Sequence, residues 1–385
     1  MTDNEIFINI LKCAVNGKQL QLSDPVDMDD LWKMATRHSV RALAASVLIK
    51  SDCITDEKYE YVWKEALYKN IRKTMLFDTE REEIYRVLEK TGVWYAPLKG
   101  IIINRLFPVF GSRDFSDNDI LIGKTDLDVL EREMKTIGYE LEPSSISVDY
   151  TFYKPPMMNF ELHHRLFLED ERYRYFNRYF DGINERLVPV GDSDYAFSLS
   201  NEDNYAYIMA HFCKHFKNSG LGVRALADVY LYKKKIPMDN DRLDTIFEEM
   251  HISDFVDSLE DLAHRLFDGD HAFSFSDCSE DERKLLEEML KLGAFGSFNN
   301  YVSHRYSRYN NGKTNNGKLR YFRKRLFPSI EPYKKRYPTL YKHKVLHPLF
   351  YVYRPIRGIA VNRKAIRAEI KTVSKINKEK PENKD

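Results

Sequence analysis

The chain has 385 residues, 43% hydrophobic and 31% charged, with a formal net charge of +1. That content supports real cores in two or three subdomains, and no apolar run reaches the roughly 18 residues of a membrane-spanning helix. Cys13, Cys53, Cys213 and Cys278 are scattered without a C-x-x-C, which argues against a structural zinc or a disulfide framework and suits a reducing compartment.

The first five residues, Met1-Thr2-Asp3-Asn4-Glu5, are acidic and carry no signal-peptide pattern, so a cytoplasmic location is expected. Residues 1–90 read as a helical region. Ile6, Ile10 and Leu11 have helical spacing, as do Leu43, Val47 and Leu48. Residues 57–90 read as one long or broken helix leading into a short strand at 93–98. Residues 91–195 read as a mixed α/β core, with a helix over Asp126–Ile137 that stops at Gly138-Tyr139. A hairpin of strands 150–154 and 159–163 turns at Pro155-Pro156. Residues 196–309 form a second helical region. Asn201–Lys233, Asp241–Phe267 and Glu280–Leu292 are helical, and 272–278 is a loop. Residues 310–317 hold only turn formers and polar groups and read as a linker. Residues 318–385 form a basic C-terminal arm. The predicted class is therefore α+β, with a small mixed sheet between helical regions.

Charge is unevenly distributed. Residues 318–380 contain 19 Lys and Arg against 3 Asp and Glu. The last five residues contribute −1, and the total of +1 leaves −14 for residues 1–317. Ile359, Arg363, Ile366, Ile370 and Val373 approximate a helical stripe among cations. A basic amphipathic helix of this kind suits an acidic partner, an acidic membrane surface or the chain's own acidic body.

The most informative stretch is Arg113-Asp114-Phe115-Ser116-Asp117-Asn118-Asp119-Ile120-Leu121-Ile122. In a strand, residues i and i+2 share a side, so Asp117 and Asp119 face one way and can hold Mg²⁺ through oxygen. Upstream, Lys99-Gly100 closes the apolar strand before a helix at Ile101–Phe107. Glycine there lets backbone and phosphate approach, and a helix N-terminus favours anions. Downstream, Glu161 and His163 share a face of the second hairpin strand. Glu161 would make a third carboxylate, enough for two ions. His211 and His215 are four apart on one helix face. They supply two ligands where zinc needs three or four, so a structural or substrate-lining role suits them better. Asp228 is a candidate to orient one of them. His163 suits a hydrogen-bonding role beside the site.

Taken in order, Leu98-Lys99-Gly100, Arg113-x-x-x-Asp117-x-Asp119-Ile-Leu-Ile and Glu161-Leu162-His163 resemble the uncharacterised nucleotidyltransferases of the polymerase-beta-like superfamily. The resemblance spans roughly residues 25–235, with His38, His211, His215 and Asp228 falling in its outer parts. It departs at Asn118 and His164, where that family has an apolar residue and a tryptophan. Asn118 lies on the opposite face of its strand and needs a partner if buried.

The resemblance implies transfer of NMP from an NTP, such as ATP, to an acceptor, with release of pyrophosphate. It implies Asp117, Asp119 and Glu161 as catalytic and metal-binding residues for two Mg²⁺ ions, or Mn²⁺. It implies Lys99 and Gly100, and Arg113 as a further candidate, as contacts to the nucleotide's phosphates. The alternative role for Arg113 is an ion pair with an aspartate. A small molecule, a protein or an RNA end would serve as acceptor. The competing reading is a catalytically idle member that acts as a binding module.

Overall fold

Alternating apolar spacing and well-placed caps set most elements locally. The computed structural model describes residues 1–22, 26–115, 118–142, 148–294, 302, 306, 317–327, 342–343, 345 and 347–375. They fall into two units, one made of Met1–Glu142, Val148–Lys214 and Leu221–Phe295, the other of Pro143–Ser147, His215–Gly220 and Gly296–Asp385. Asp117 and most of the predicted 310–317 linker lie outside the described residues.

In the first unit, α1 (Asp3–Asn16), α2 (Met28–Arg37) and α3 (Arg41–Leu48) precede one unbroken 34-residue helix, α4 (Glu57–Lys90). Thr2 and Glu5 cap α1 reciprocally, and Asp27 and Asp56 cap α2 and α4. Each cap satisfies amide donors that a helix start otherwise leaves bare.

The α/β part follows as β1 (Tyr95–Pro97), α5 (Gly100–Ile103), β2 (Asn118–Ile122), α6 (Leu127–Thr136), β3 (Glu140–Leu141), β4 (Asp149–Lys154) and β5 (Met158–His163). The predicted 101–107 helix is shorter than expected, one α-turn followed by a 3-10 turn at Asn104–Leu106. The strands form a mixed sheet in the order β1-β2-β5-β4-β3. The predicted hairpin is β4–β5, and β5 also pairs in parallel with β2, Asp119 opposite Glu161.

One face of the sheet is apolar. Ile120, Ile122, Phe160 and Leu162 pack with Phe77, Ile84 and Leu88 of α4 and with Leu130 and Met134 of α6. Asn118 points into this face, and its Oδ1 accepts from Arg81 Nη2 at 2.8 Å, while Arg81 also meets Asp78 at 2.6 Å. The polar departure at 118 is thus answered by a cation from α4. The opposite face carries Asp119, Leu121, Glu161 and His163.

Beyond the sheet come α7 (Arg174–Phe180), a two-stranded pair β6 (Val188–Pro189) and β7 (Phe197–Ser198), and then helices α8 (Asn201–Asn218), α9 (Arg224–Lys235), α10 (Asn240–Met250), α11 (Ser253–Phe267) and α12 (Glu280–Leu292). The stretch expected to be helical over 201–233 divides into α8 and α9. At Gly222, a Cβ would sit 2.5 Å from the Ala294 amide nitrogen, so only glycine admits that close approach. The 272–278 loop contains a 3-10 turn at Phe275–Asp277.

In the second unit, a helix at Gly317–Leu326 and one at His347–Lys375 share a small core. Tyr321 is buried with Val302, Tyr306 and Val373, and its hydroxyl donates to Glu369, which also accepts from Arg325 Nε at 3.0 Å. The predicted amphipathic stripe is divided. Val373 is in this core, Ile366 is half-buried and Ile370 is 50% exposed. The Ile359 side chain lies outside the described residues. Among the described residues no helix is long and apolar enough to cross a membrane.

His38, at the C-terminus of α2, is fully buried beside Phe7. Burial pushes its pKa down to about 4, against the opposing pull of the Leu290 backbone. The unfolded chain therefore takes up this proton near pH 6.5 while the folded chain resists it. Stability is expected to fall as pH drops from about 6.5 to about 4, by roughly 3 kcal/mol from this group. Urea melts across that range should show the loss, and His38→Phe should flatten it.

Candidate active site

The backbone before Asp119 is fixed by α3 and α4. Asn70 Nδ2 donates to the carbonyls of Gly111 at 2.7 Å and Arg113 at 3.0 Å. The Ala42 amide at the start of α3 donates to Asp114 Oδ2 at 3.1 Å. Gly111 has φ +71, and a Cβ there would meet Ile71 Cα at 2.7 Å, so glycine lets the loop lie on α4. Gly111-Ser112 forms a loop.

From this loop Arg113 reaches α9. Its Nε and Nη2 donate to the two Asp228 oxygens at 2.7 and 2.8 Å, and Nη1 donates to Asn104 Oδ1 at 3.1 Å. Both partners are at most 7% exposed. Arg113 thus makes an ion pair with an aspartate, its fork binding the carboxylate in two-pronged fashion. Asp228, a candidate to orient a histidine of α8, pairs here with Arg113. Gly100 lies against the same guanidinium, because a Cβ there would stand 3.2 Å from Arg113 Nη1.

Lys99 closes β1 with φ +44, a region a non-glycine residue occupies at a cost of order 1–3 kcal/mol. Its Nζ donates to Asp119 Oδ1 at 2.8 Å, and the side chain is 16% exposed. Lys99, expected to contact the nucleotide's phosphates, is here a partly buried member of a charge cluster. His163 Nε2 meets the same Asp119 oxygen at 2.9 Å and stands 3.7 Å from Glu161 Oε2. Ligand atoms of Asp119, Glu161 and His163 all lie within 4.8 Å of one another. This follows from register, since Asp119 pairs with Glu161 and both point off the apolar face.

Burial alone would raise the Asp119 pKa, but Lys99 and His163 outweigh it and hold the carboxyl well below the usual range. Burial likewise works against charge on Lys99, and Asp119, with Tyr207 and Glu161, keeps its ammonium above the ordinary value. Asp119 and Lys99 thus hold each other charged as a partly buried ion pair.

Helix α8 supplies the facing wall. The Lys99 ammonium sits 5.3 Å from the Tyr207 ring centroid. Burial pushes the Tyr207 hydroxyl up to about 12, partly offset by Lys99. Lys214 is held below its ordinary pKa by burial and by Lys99, against the pull of Asp119, Glu161 and Asp149. Neither residue stood out in the sequence, though Tyr207, His211 and Lys214 are spaced to share one helix face. The ring centroids of His211 and Tyr207 are 6.2 Å apart. His215 falls in the second unit, where its carbonyl accepts from the Ser219 and Gly220 amides. Among the described residues His211 and His215 belong to no group of three metal-ligating side chains.

Carboxylate oxygens favour a hard divalent cation, and the Asp119–Glu161 pair offers them beside a hydrogen-bonding imidazole. No curated protein and no solved structure matches the chain. A family model described as an uncharacterised nucleotidyltransferase matches residues 24–268, which takes in Lys99, Asp119, Glu161, His163 and the helices that frame them. That match covers well over half of the chain, and the protein belongs to this nucleotidyltransferase family.

Proposed function

We propose that the protein transfers NMP from an NTP to an acceptor hydroxyl or phosphate, using a divalent cation held by Asp119 and Glu161 with Asp117. The observation that carries this reading is the gathering of Asp119, Glu161 and His163 ligand atoms within 4.8 Å. Their oxygen donors fit Mg²⁺ or Mn²⁺, and His163 suits the task of orienting Asp119. Asp117 would be the further carboxylate needed for a second ion. When bound, the metal supplies Lewis-acid activation of the acceptor oxygen and neutralises the leaving pyrophosphate.

The acceptor oxygen bonds to the α-phosphorus, the bond from that phosphorus to the pyrophosphate oxygen breaks, and the acceptor proton passes to Glu161. Lys99, released from Asp119, meets the β,γ-phosphates beside Gly100. Lys214 adds a second positive charge from α8. Arg113, held by Asp228, braces the Lys99–Gly100 turn. Tyr207 and His211 line the substrate side.

The direct test incubates the protein with Mg²⁺ or Mn²⁺, each labelled NTP and a cell lysate, and follows label transfer and pyrophosphate release. Metal-dependent labelling that Glu161→Gln removes is the expected result. No product and no pyrophosphate with any NTP would overturn the reading and leave the idle binding module. Lys99→Ala is expected to weaken NTP affinity by about ten- to a hundredfold, the scale of a charge-assisted contact. Calorimetric titration measures it, and an unchanged affinity would make Lys99 only the structural counter-ion of Asp119.

A further inference from the structure

A cleft of about 940 Å³ opens at the far ends of β2 and β5, in the size range of small-molecule sites. Its floor is apolar, formed by Leu121, Leu166, Phe167, Phe180 and Ile183. Trp94 forms one side. A Cβ at Gly123 would fall 2.6 Å from Trp94 Nε1, so the missing side chain lets the indole lie against the end of β2. The rim is cationic, with Lys124, Arg165, Arg174 and Arg178 against Glu169 and Asp181. Glu169 pairs with Arg165, and Arg174 pairs with Glu171 at the surface. The net positive lining is notable because residues 1–317 carry −14 overall.

The cleft lies beside the carboxylates. Leu121 follows Asp119 by two residues on the same strand face, a step of about 7 Å. Phe167 and Phe180 both touch Tyr207, with ring centroids 5.6 and 5.8 Å away, and Tyr207 faces Lys99. One wall therefore serves both places. An aromatic and apolar floor favours a ring, and exposed arginines favour phosphate oxygens.

We infer that this cleft is the acceptor subsite and takes a ring-bearing phosphomonoester, an inference that rests on the nucleotidyl-transfer reading for the acceptor role but not for binding. The ring lies on Trp94 and the floor, the phosphate meets Arg174 and Arg178, and the free hydroxyl or phosphate oxygen points toward Asp119 and Glu161.

The test titrates the full chain, without NTP, with p-nitrophenyl phosphate, glucose 1-phosphate, glycerol 3-phosphate and inorganic phosphate, by calorimetry and tryptophan fluorescence. The two ring-bearing esters should bind at least about tenfold tighter than the other two. Arg174→Ala/Arg178→Ala, both at exposed positions, should weaken binding of the ring-bearing esters at least about tenfold while leaving circular dichroism and Mg-ATP affinity unchanged. Arg178→Glu alone should act in the same direction. Asp119→Asn should leave ester binding intact. Saturable ester binding without any NTP turnover would sink the transferase reading and keep the cleft as a ligand site. The inference is overturned if no ester binds saturably, if the arginine variants bind esters as well as the parent, or if they weaken Mg-ATP equally, which would give the cleft to the donor nucleotide.

Discussion

Asp119→Asn is expected to lower pyrophosphate release by at least about a thousandfold, the scale on which a metal site's charge stabilisation acts. Asparagine keeps the shape and can still accept from Lys99 and His163, so geometry changes little. What disappears is the negative charge that makes the site attractive to a divalent ion and that offsets the half-hidden Lys99 ammonium. The same substitution should reduce stability by about 1–3 kcal/mol, because a charged donor loses its charged acceptor. Steady-state assays with a urea melt on the same preparation separate the two effects. A variant that keeps a tenth of the parental rate would remove Asp119 from the chemistry, whatever its stability.

The largest stability effect is expected at Arg113 and Asp228. These side chains form a two-pronged ion pair, 7% and 1% exposed. Removing one partner strands the other charge in the interior, which costs about 3–5 kcal/mol. Arg113→Ala and Asp228→Ala should each shift the urea midpoint strongly downward. The double variant Arg113→Met/Asp228→Leu should recover much of the loss, because no buried charge is left unpaired. The single variants should also loosen Gly100, whose backbone lies against the guanidinium, and so weaken NTP affinity even where the protein remains folded. If the double variant were as unstable as the worse single one, the pair would be tied into a larger network than Asn104 and Gly100.

Much of this was legible along the chain. The period-two rule put Asp119 on the face away from Ile120 and Ile122, and Glu161 on the face away from Phe160 and Leu162, as β2 and β5 realise. The helical stretch over 57–90, the stop at Gly138-Tyr139 and the two-proline turn marked α4, α6 and the β4–β5 hairpin. The divided helix at 219–223 was harder to see. Its apolar residues continue a helical pattern, and the close packing of Gly222 on Ala294 comes from a distant segment.

Local pattern by itself determined the α+β class, the strand faces, the order of the motif and its resemblance to nucleotidyltransferases. Those depend on neighbours two to four residues apart. Tertiary structure alone decided which charges meet. Arg113 and Asp228 are 115 residues apart in sequence, Lys99 turned out to be the counter-ion of Asp119, and Tyr207 and Lys214 became the facing wall of the site. It also decided that Trp94, Phe167 and Phe180 share a cleft with two arginines of α7. Side-chain pairing over such separations is set by helix packing and strand register between distant segments, and periodicity within one segment carries no record of it.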